Sequence, residues 1–225
     1  MIAPVRSRAP QAPQVFETLR ASIIEIKLAP GTPLSRTALQ RQFHVSSTPI
    51  RDALMRLEEI GLVDVFPQSG TLVSLIDVPQ ARQAQFLRLS VELEAVRKLA
   101  SSPDPSALRR MRDAIAEQRK WAKSGNLKKF TEADMAFHGN FYSANGVDGL
   151  WTLVRQQSAH MDRIRRLHLP IGTKTAQIIR DHLAIMRAID DGDPDRAQSA
   201  LRGHLSQSLA FTDELRVRFP KYFKG

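Results

Sequence analysis

The 225-residue chain contains no cysteine, which excludes disulfide bonds, cysteine-ligated zinc, iron–sulfur clusters and thiol nucleophiles. It also lacks any apolar run approaching the roughly 18 residues that a membrane-spanning helix needs. Its first residues form no apolar segment, so we expect no secretory signal. A metal site would have to use His, Asp or Glu side chains. We expect a soluble, cytoplasmic protein with no membrane partner.

What the chain does contain is a globular composition with an excess of positive charge. Hydrophobic residues make up 42% and charged residues 25%, values that are typical of folded domains. The length allows one large domain or two of ordinary size. The net charge of +10 favours a polyanionic partner. The densest basic stretch is 109–129, but such a run on a helix is usually a solvated face, so it does not locate a DNA site.

The N-terminal third has the pattern of a winged helix-turn-helix. Residues 1–13 contain three prolines and few large apolar residues, and we predict a flexible arm there. Three helical segments follow, with a tight turn at 44–46 between the second and the third. Two β-prone runs, 62–66 and 71–75, then predict a hairpin. Three helices followed by a hairpin indicate a DNA-binding domain over residues 14–76.

The rest of the chain shows no strand pattern and predicts an all-helical bundle. The predicted helices run to about residue 100 and then over 105–124, 127–144, 148–169, 173–190 and 195–218. We place the helical domain at 77–219 and a tail at 220–225. The fold class is therefore mostly α, a winged helix-turn-helix followed by an all-α helical bundle.

The third helix offers an exposed face for a DNA major groove. If Ile50, Leu54 and Leu57 point inward, the hydroxyls and the long cation at the start of this helix point outward. The candidate DNA-binding residues, including those of the hairpin tip, are Thr37, Ser46, Ser47, Thr48, Arg51, Gln68, Ser69 and Gly70. The same residues also fit ordinary roles, since residues 46–48 can cap a helix, Arg51 can be a surface residue and residues 68–70 can form a plain loop.

One carboxylate and three imidazoles can converge within the helical domain. Asp134 and His138 lie four residues apart, on the same face of one helix and among core-type residues. His182 and His204 lie at similar distances on either side of the turn at 190–194, so antiparallel helices would bring them level. This set suits zinc, nickel or manganese, with positions left for water or a ligand oxygen. The spacing alone also fits histidines of the core or surface.

Three arginines could bind an acidic effector near this point. They are Arg88, Arg163 and Arg165, which occupy helices expected to line the bundle interior or its mouth. A guanidinium group matches the two oxygens of a carboxylate, and Glu92 could hold Arg88 in place from one turn further along. Surface salt bridges are the alternative for each of these arginines.

The N-terminal residues resemble the GntR family of bacterial transcription regulators. The resemblance rests on the run Val45–Val63, which includes Ser46-Ser47-Thr48-Pro49-Ile50-Arg51-Asp52-Ala53-Leu54, and on the wing Phe66–Val73. It covers residues 15–75. Two positions depart from the family pattern, because Ser47 and Ser69 stand where family members commonly carry arginine. The resemblance implies a DNA-binding regulator, but the family's operator sequences do not carry over.

The helical part, residues 79–212, resembles the FCD ligand-binding domain of the FadR-like branch of that family. The matching pieces are Arg88-x-x-x-Glu92, Asp134-x-x-x-His138, the turn at Asn145, Asp181-His182-x-x-Ile185, Gly192-Asp193 and Arg202-x-His204. In metal-binding members the ligands are an aspartate and three histidines. The resemblance therefore implies a divalent transition metal (zinc, nickel or manganese) held by Asp134, His138, His182 and His204.

Together these patterns predict a ligand-responsive transcription regulator and not an enzyme. We expect a homodimeric repressor that binds a palindromic double-stranded DNA operator and senses a small carboxylate, an organic or sugar acid, at the metal site. The first alternative is a metal-dependent hydrolase that uses the same four residues, although the chain has no His-Glu-x-x-His run. The second alternative is a module whose winged helix binds another protein.

Overall fold

A computed structural model of the chain describes four stretches of residues, namely 11–67, 70–171, 173–207 and 209–225. The chain divides into two compact units, which are described separately below. The first contains the residues up to Asp77 together with Phe219–Gly225, and the second contains Val78–Arg218. The described residues are mostly helical and include one two-stranded sheet, which confirms the predicted fold class. Within these stretches no helix is both long and apolar enough to cross a membrane.

The first unit consists of three helices, a hairpin and a C-terminal turn of 3₁₀ helix. The elements are α1 (Gln11–Ile24), α2 (Arg36–Phe43), α3 (Ser47–Glu59), β1 (Val63–Phe66), β2 (Gly70–Val73) and the 3₁₀ turn (Pro220–Tyr222). Helix α1 packs against α3, and α2 also packs against α3. Their apolar faces form the core of this unit, because Leu19, Ile23, Ile50 and Leu57 are all buried.

A tight turn joins α2 to α3 and completes the helix-turn-helix. Ser35 begins α2 by accepting a hydrogen bond from the backbone N–H of Ala38 at 3.3 Å. The helix ends at His44, whose φ of 53° places it in the left-handed region. Pro49 lies in the first turn of α3, where a missing N–H costs no helical hydrogen bond. Gly61, with φ of 71°, follows α3 and turns the chain toward β1.

The two strands form the small antiparallel wing that the sequence predicts. Val63 pairs with Val73 and Phe66 pairs with Gly70, so the strands are slightly shorter than the predicted runs. Val63 and Val73 are buried where the wing packs on its unit. Gln68 and Ser69 lie outside the described residues.

The second unit is a helical bundle. Its elements are α4 (Val78–Ser101), α5 (Pro105–Lys123), α6 (Leu127–Ala144), α7 (Asp148–Gln157), α8 (Ala159–His168), α9 (Lys174–Asp190), α10 (Pro194–Ser206) and α11 (Thr212–Arg218). Helices α5 and α6 pack together, and α10 packs against both α4 and α9. The core includes Met111, Phe137, Phe141, Ile189 and Leu201.

Two segments that the sequence predicts as single helices are each divided. The segment 148–169 breaks at Ser158, whose hydroxyl donates to the carbonyl of Val154 at 2.6 Å. The segment 195–218 breaks after Ser206, and the hydroxyl of Thr212 donates to the carbonyl of Leu209 at 2.7 Å. In both places a short hydroxyl side chain bonds a nearby backbone carbonyl, without the proline or glycine that marks the other breaks.

The two ends of the chain also differ from the prediction. Helix α1 begins at Gln11, so residues 11–13 belong to it, and the remainder of the predicted arm lies outside the described residues. Pro13 fits in the first turn, where its missing N–H is not needed. The predicted tail at 220–225 is part of the first unit, because Phe223 is buried and forms a parallel bridge with Ile76.

Candidate functional site

The four predicted metal ligands come together inside the second unit. Asp134 and His138 lie on α6, one turn apart, while His182 lies on α9 and His204 on α10. All four are buried, and one ligand atom from each lies within 4.8 Å of the others. The structure thus contains a cluster that could hold a metal ion.

The hairpin between α9 and α10 brings the last two histidines level. Gly192 adopts a φ of 69° in the turn, and Asp193 begins α10 by accepting from the backbone N–H of Arg196. The result is a distance of 3.2 Å between the Nε2 atoms of His182 and His204. The Nε2 atom of His204 is 3.3 Å from that of His138.

Each histidine has a hydrogen-bond acceptor at its other ring nitrogen. The Nδ1 atoms of His138, His182 and His204 lie at 2.8, 3.0 and 3.2 Å from carboxylate or amide oxygens. Those oxygens belong to Glu92, Gln118 and Asp181. An acceptor at Nδ1 requires the proton there, which leaves a lone pair on Nε2. All three Nε2 lone pairs therefore face one point.

This donor set fits a divalent transition metal. Oδ2 of Asp134 accepts from Arg165 at 2.5 Å, while Oδ1 lies 3.7 Å from Nε2 of His182 and faces the cluster. Three nitrogen lone pairs and a carboxylate oxygen with no proton between them repel one another unless a cation lies among them. Imidazole and carboxylate are the donors that zinc, nickel and manganese accept.

Burial and neighbouring charges set the protonation states that such binding needs. Burial raises the pKa of Glu92, but Arg88 and His138 outweigh it and hold that pKa at about 2. Burial is likewise outweighed at Asp134, where Arg165 and His138 keep the pKa below its ordinary range. Burial and Arg88 lower the pKa of His138 to about 4, and burial with His204 lowers the pKa of His182. These two imidazoles are neutral at pH 7, as ligation requires.

Each of the three predicted effector arginines has a protein partner, and Arg88 and Arg165 are connected to the cluster through theirs. Arg88 donates to Glu92 at 2.7 Å, as its spacing suggested. Arg163 is fully buried and lies 2.8 Å from Nδ1 of His160, and Arg165 bonds Asp134. The side chain of Arg165 is 20% exposed, against 4% for Arg88. Their role in effector binding stays a prediction.

The predicted DNA-binding residues that the structure describes are exposed. Thr37, Ser46, Ser47, Thr48 and Arg51 all face solvent, while Ile50 and Leu54 on the other side of α3 are buried. Ser46 occupies the N-cap position of α3, yet its side chain makes no capping hydrogen bond. Gly70, at the described edge of the wing, is exposed as well. Gln68 and Ser69 lie outside the described residues, and all eight remain predicted contacts.

The cations of the basic stretch 109–129 are exposed, and several of them form ion pairs. Arg112 pairs with Asp190, Lys120 with Glu117 and Lys129 with Glu132. Such exposed pairs contribute little to stability. This part of the chain behaves as the solvated face that its pattern indicated.

The sequence did not reveal which residues orient the histidines. Asp181 directly precedes His182 but bonds His204 on the next helix, and Glu92 follows Arg88 by one turn but also bonds His138. Gln118 is a buried polar residue in a part of α5 whose exposed side chains are mostly basic. A buried polar residue on a predicted core face was the available signal, but its partner depends on helix packing.

A winged helix-turn-helix joined to a helical domain with a buried donor cluster defines a class of DNA-binding regulators that respond to ligands. Residues 11–73 match the family model described as "Bacterial regulatory proteins, gntR family", and residues 84–207 match the FCD domain. The chain belongs to the GntR family and is a transcription regulator with a DNA-binding GntR domain and an FCD ligand-binding domain. It is not the hydrolase considered as an alternative.

Relatives cover nearly the whole chain. A regulator of the HTH type in an unstable DNA locus of Streptomyces ambofaciens is 34% identical over 93% of this chain and 88% of its own length. The HTH-type transcriptional repressor RspR of Escherichia coli K12 is 29% identical over 93% and 92%, respectively.

Solved structures share the fold. Escherichia coli McbR/YncC superposes with a TM-score of 0.77 at 19% identity, covering 92% of this chain and 99% of the other. A GntR transcriptional regulator from Rhodococcus sp. RHA1 gives a TM-score of 0.76 at 21% identity, covering 90% and 97%. At these identities the likeness concerns the fold alone.

Proposed function

We propose that the protein is a metal-containing repressor that binds an inverted-repeat operator as a homodimer and releases it when a small organic or sugar acid binds. The observation that carries this proposal is the convergence of Asp134, His138, His182 and His204 on one buried point. This point lies in the domain that the family uses for ligands, on the same chain as an exposed recognition helix.

The DNA contacts come from α3 and the wing. The hydroxyls of Ser46, Ser47 and Thr48 bind phosphates or base edges, and Arg51 reaches a base or the backbone. Because serines stand at positions 47 and 69, one winged unit has few guanidinium groups for DNA. Two copies related by a two-fold axis double the contacts and match a palindrome. Thr37 of α2, together with Gln68, Ser69 and Gly70, completes the contact surface.

The metal is held by three nitrogens and one carboxylate oxygen, and zinc, nickel or manganese suits these donors. When bound, the ion offers coordination positions for a ligand oxygen. The protein's own part is to present neutral imidazoles, each oriented from behind by Glu92, Gln118 or Asp181. Since the ligands come from α6, α9 and α10, they also tie these three helices together.

The charge balance around the cluster favours an anionic effector. Asp134 is paired with Arg165 and Glu92 with Arg88, so the charges within these two pairs cancel. The charge of a divalent cation then remains uncompensated in the interior, where unpaired charge is costly. A carboxylate supplies the missing negative charge. Arg165, the more exposed of these two arginines, is the residue best placed to bind its second oxygen.

For the effector to control transcription, it must bind one state of the regulator more tightly than the other, since equal affinity shifts nothing. Release of DNA on binding makes the protein a repressor. The name of the Escherichia coli relative RspR, a transcriptional repressor, supports this direction.

The test combines a thermal-shift screen with DNA binding. Zinc-loaded protein is screened against small carboxylates and sugar acids, and each hit is added to a complex with an operator fragment selected from random DNA. We expect a stabilising acid to release the DNA, and we expect Arg165→Gln to lose that response while the exposed control Arg109→Gln keeps it. A protein that selects no DNA sequence, or whose DNA complex ignores every stabilising acid, contradicts the proposal.

A further inference from the structure

The last seven residues of the chain, Phe219–Gly225, form a strap that belongs to the first unit. Its backbone pairs with the segment that follows the wing: the N–H of Ile76 donates to the carbonyl of Tyr222 at 2.7 Å, and the N–H of Lys224 donates to the carbonyl of Ile76 at 3.0 Å. The ammonium of Lys224 also lies 3.2 Å from the carboxylate of Asp77. Phe223 and Ile76 are buried at this point.

The strap is covalently continuous with the second unit. It directly follows α11, and α11 packs against α8. Phe211, which precedes α11, stacks its ring on that of His168, the last residue of α8, with 4.0 Å between the ring centroids. Helix α8 carries Arg165, which bonds Asp134 of the candidate metal cluster. A path of direct contacts and chain continuity therefore runs from Asp134 through α8 and α11 to the strap.

The chain thus passes between the two units twice, once at Asp77-Val78 and once at Arg218-Phe219. A single connection would leave the DNA-binding unit free to reorient independently of the helical domain. A second connection, anchored by backbone hydrogen bonds beside the first, removes much of that conformational freedom. Helix α8 packs against α4, which begins at the first connection, and against α11, which ends at the second.

We propose that the strap Phe219–Gly225 is a regulatory element that transmits the state of the helical domain to the winged helix. Its role in releasing DNA rests on the function proposed above. The coupling of stability between the two units is a physical property that can be measured without an effector or an operator.

A proline substitution isolates the strap's backbone contact. Lys224→Pro removes the N–H that donates to Ile76, while Lys224→Ala keeps this N–H and removes only the side-chain pair. Proline at 224 requires an extended residue before it, and Phe223 already has φ of −109° and ψ of 145°. Trp121 and Trp151 both lie in the second unit, so tryptophan fluorescence reports on that unit, and hydrogen exchange of α3 amides reports on the first.

The experiment compares α3 exchange with and without zinc in the intact chain and in both variants. We expect zinc to slow α3 exchange by about tenfold in the intact chain and in Lys224→Ala, within the range of coupled sites. In Lys224→Pro we expect zinc to raise the fluorescence melting temperature as before but to change α3 exchange less than about twofold. Equal slowing in Lys224→Pro overturns the proposal.

A second perturbation decides the question without a metal. Leu201→Ala opens a cavity in the core of the second unit, since Leu201 is fully buried. We expect this substitution to speed α3 exchange in the intact chain and to leave it unchanged in the Lys224→Pro background; equal acceleration in both refutes the strap. If zinc fails to stabilise the intact chain, the proposed metal function fails, while the Leu201→Ala comparison still tests the strap.

Discussion

The Nε2 atoms of His182 and His204 lie 3.2 Å apart in a buried site, although 22 residues separate them in sequence. Gln118 and Asp181 offer acceptors on the Nδ1 side, so in the neutral imidazoles both Nε2 atoms present lone pairs to each other. Two lone pairs at this distance need a cation between them. This contact connects the packing of α9 and α10 to the function of the helical domain.

Glu92 is expected to be the most sensitive structural residue behind the cluster. Glu92→Gln leaves the buried Arg88 without its anionic partner, and breaking a buried pair in this way costs about 3–5 kcal/mol of unfolding free energy. Urea denaturation measures the loss. The nearby control Glu94→Gln breaks only an exposed pair with Arg97 and should leave the urea midpoint unchanged. Equal midpoints for the two variants would show that the Arg88–Glu92 pair is not structural.

The metal-free protein is expected to lose stability in mild acid. The pKa of His138 is about 4 in the folded protein, below its ordinary value of 6.5, so between these pH values the unfolded chain binds a proton that the folded chain does not. The contribution of His138 to stability is therefore full above pH 6.5 and falls toward pH 4, by up to about 1.4 kcal/mol per pH unit. His182, whose pKa is also lowered, adds to the loss in the same direction. Denaturation of chelator-treated protein at several pH values tests this. If the unfolding free energy of His138→Gln depends on pH as steeply as that of the unmodified protein, other groups cause the acid sensitivity.

Arg51 is expected to contribute directly to operator binding. Arg51→Ala removes an exposed guanidinium group from the recognition helix and should weaken specific binding by about 1–3 kcal/mol per subunit. If Arg51 contacts only phosphate, the loss will be uniform across sequences and the salt slope will fall by about one per contact. The control Arg109→Ala, in the basic stretch of α5, should bind as the unmodified protein does. Undiminished operator affinity in folded Arg51→Ala would exclude the binding of α3 to DNA through Arg51.

The regulator is expected to bind DNA as a dimer. Two copies double the few contacts that one winged unit can make, so deleting one half-site of the operator should cost most of the affinity. Sedimentation of the protein with intact and halved operator fragments measures the stoichiometry and the affinity together. A monomer that binds a single half-site with full affinity contradicts this expectation.

The sequence predicted most elements because their boundaries are local. Ser35, Asp104 and Asp193 each cap a helix through their own side chains, and proline or glycine marks the neighbouring breaks. The breaks at Ser158 and after Ser206 escaped prediction because neither proline nor glycine marks them in the sequence.

The candidate site was predictable to the extent that periodicity and turn position determine it. Asp134 and His138 were candidates because they lie one helical turn apart. His182 and His204 were candidates because they lie at similar distances on either side of a turn. The orienting residues Glu92, Gln118 and Asp181 could not be assigned, since each bonds a histidine on another helix. The strap was missed for the same reason, because its pairing with Ile76 joins parts of the chain 147 residues apart.

The most direct test of the account is the metal content of protein purified without chelator. Elemental analysis should find about one equivalent of zinc, nickel or manganese per chain, as four ligands of these types predict. His182→Ala should lose the metal and the response to acids, while His168→Ala, which removes a buried histidine outside the cluster, should keep the metal. An empty site in the unmodified protein, together with an intact acid response in His182→Ala, would contradict the central claim.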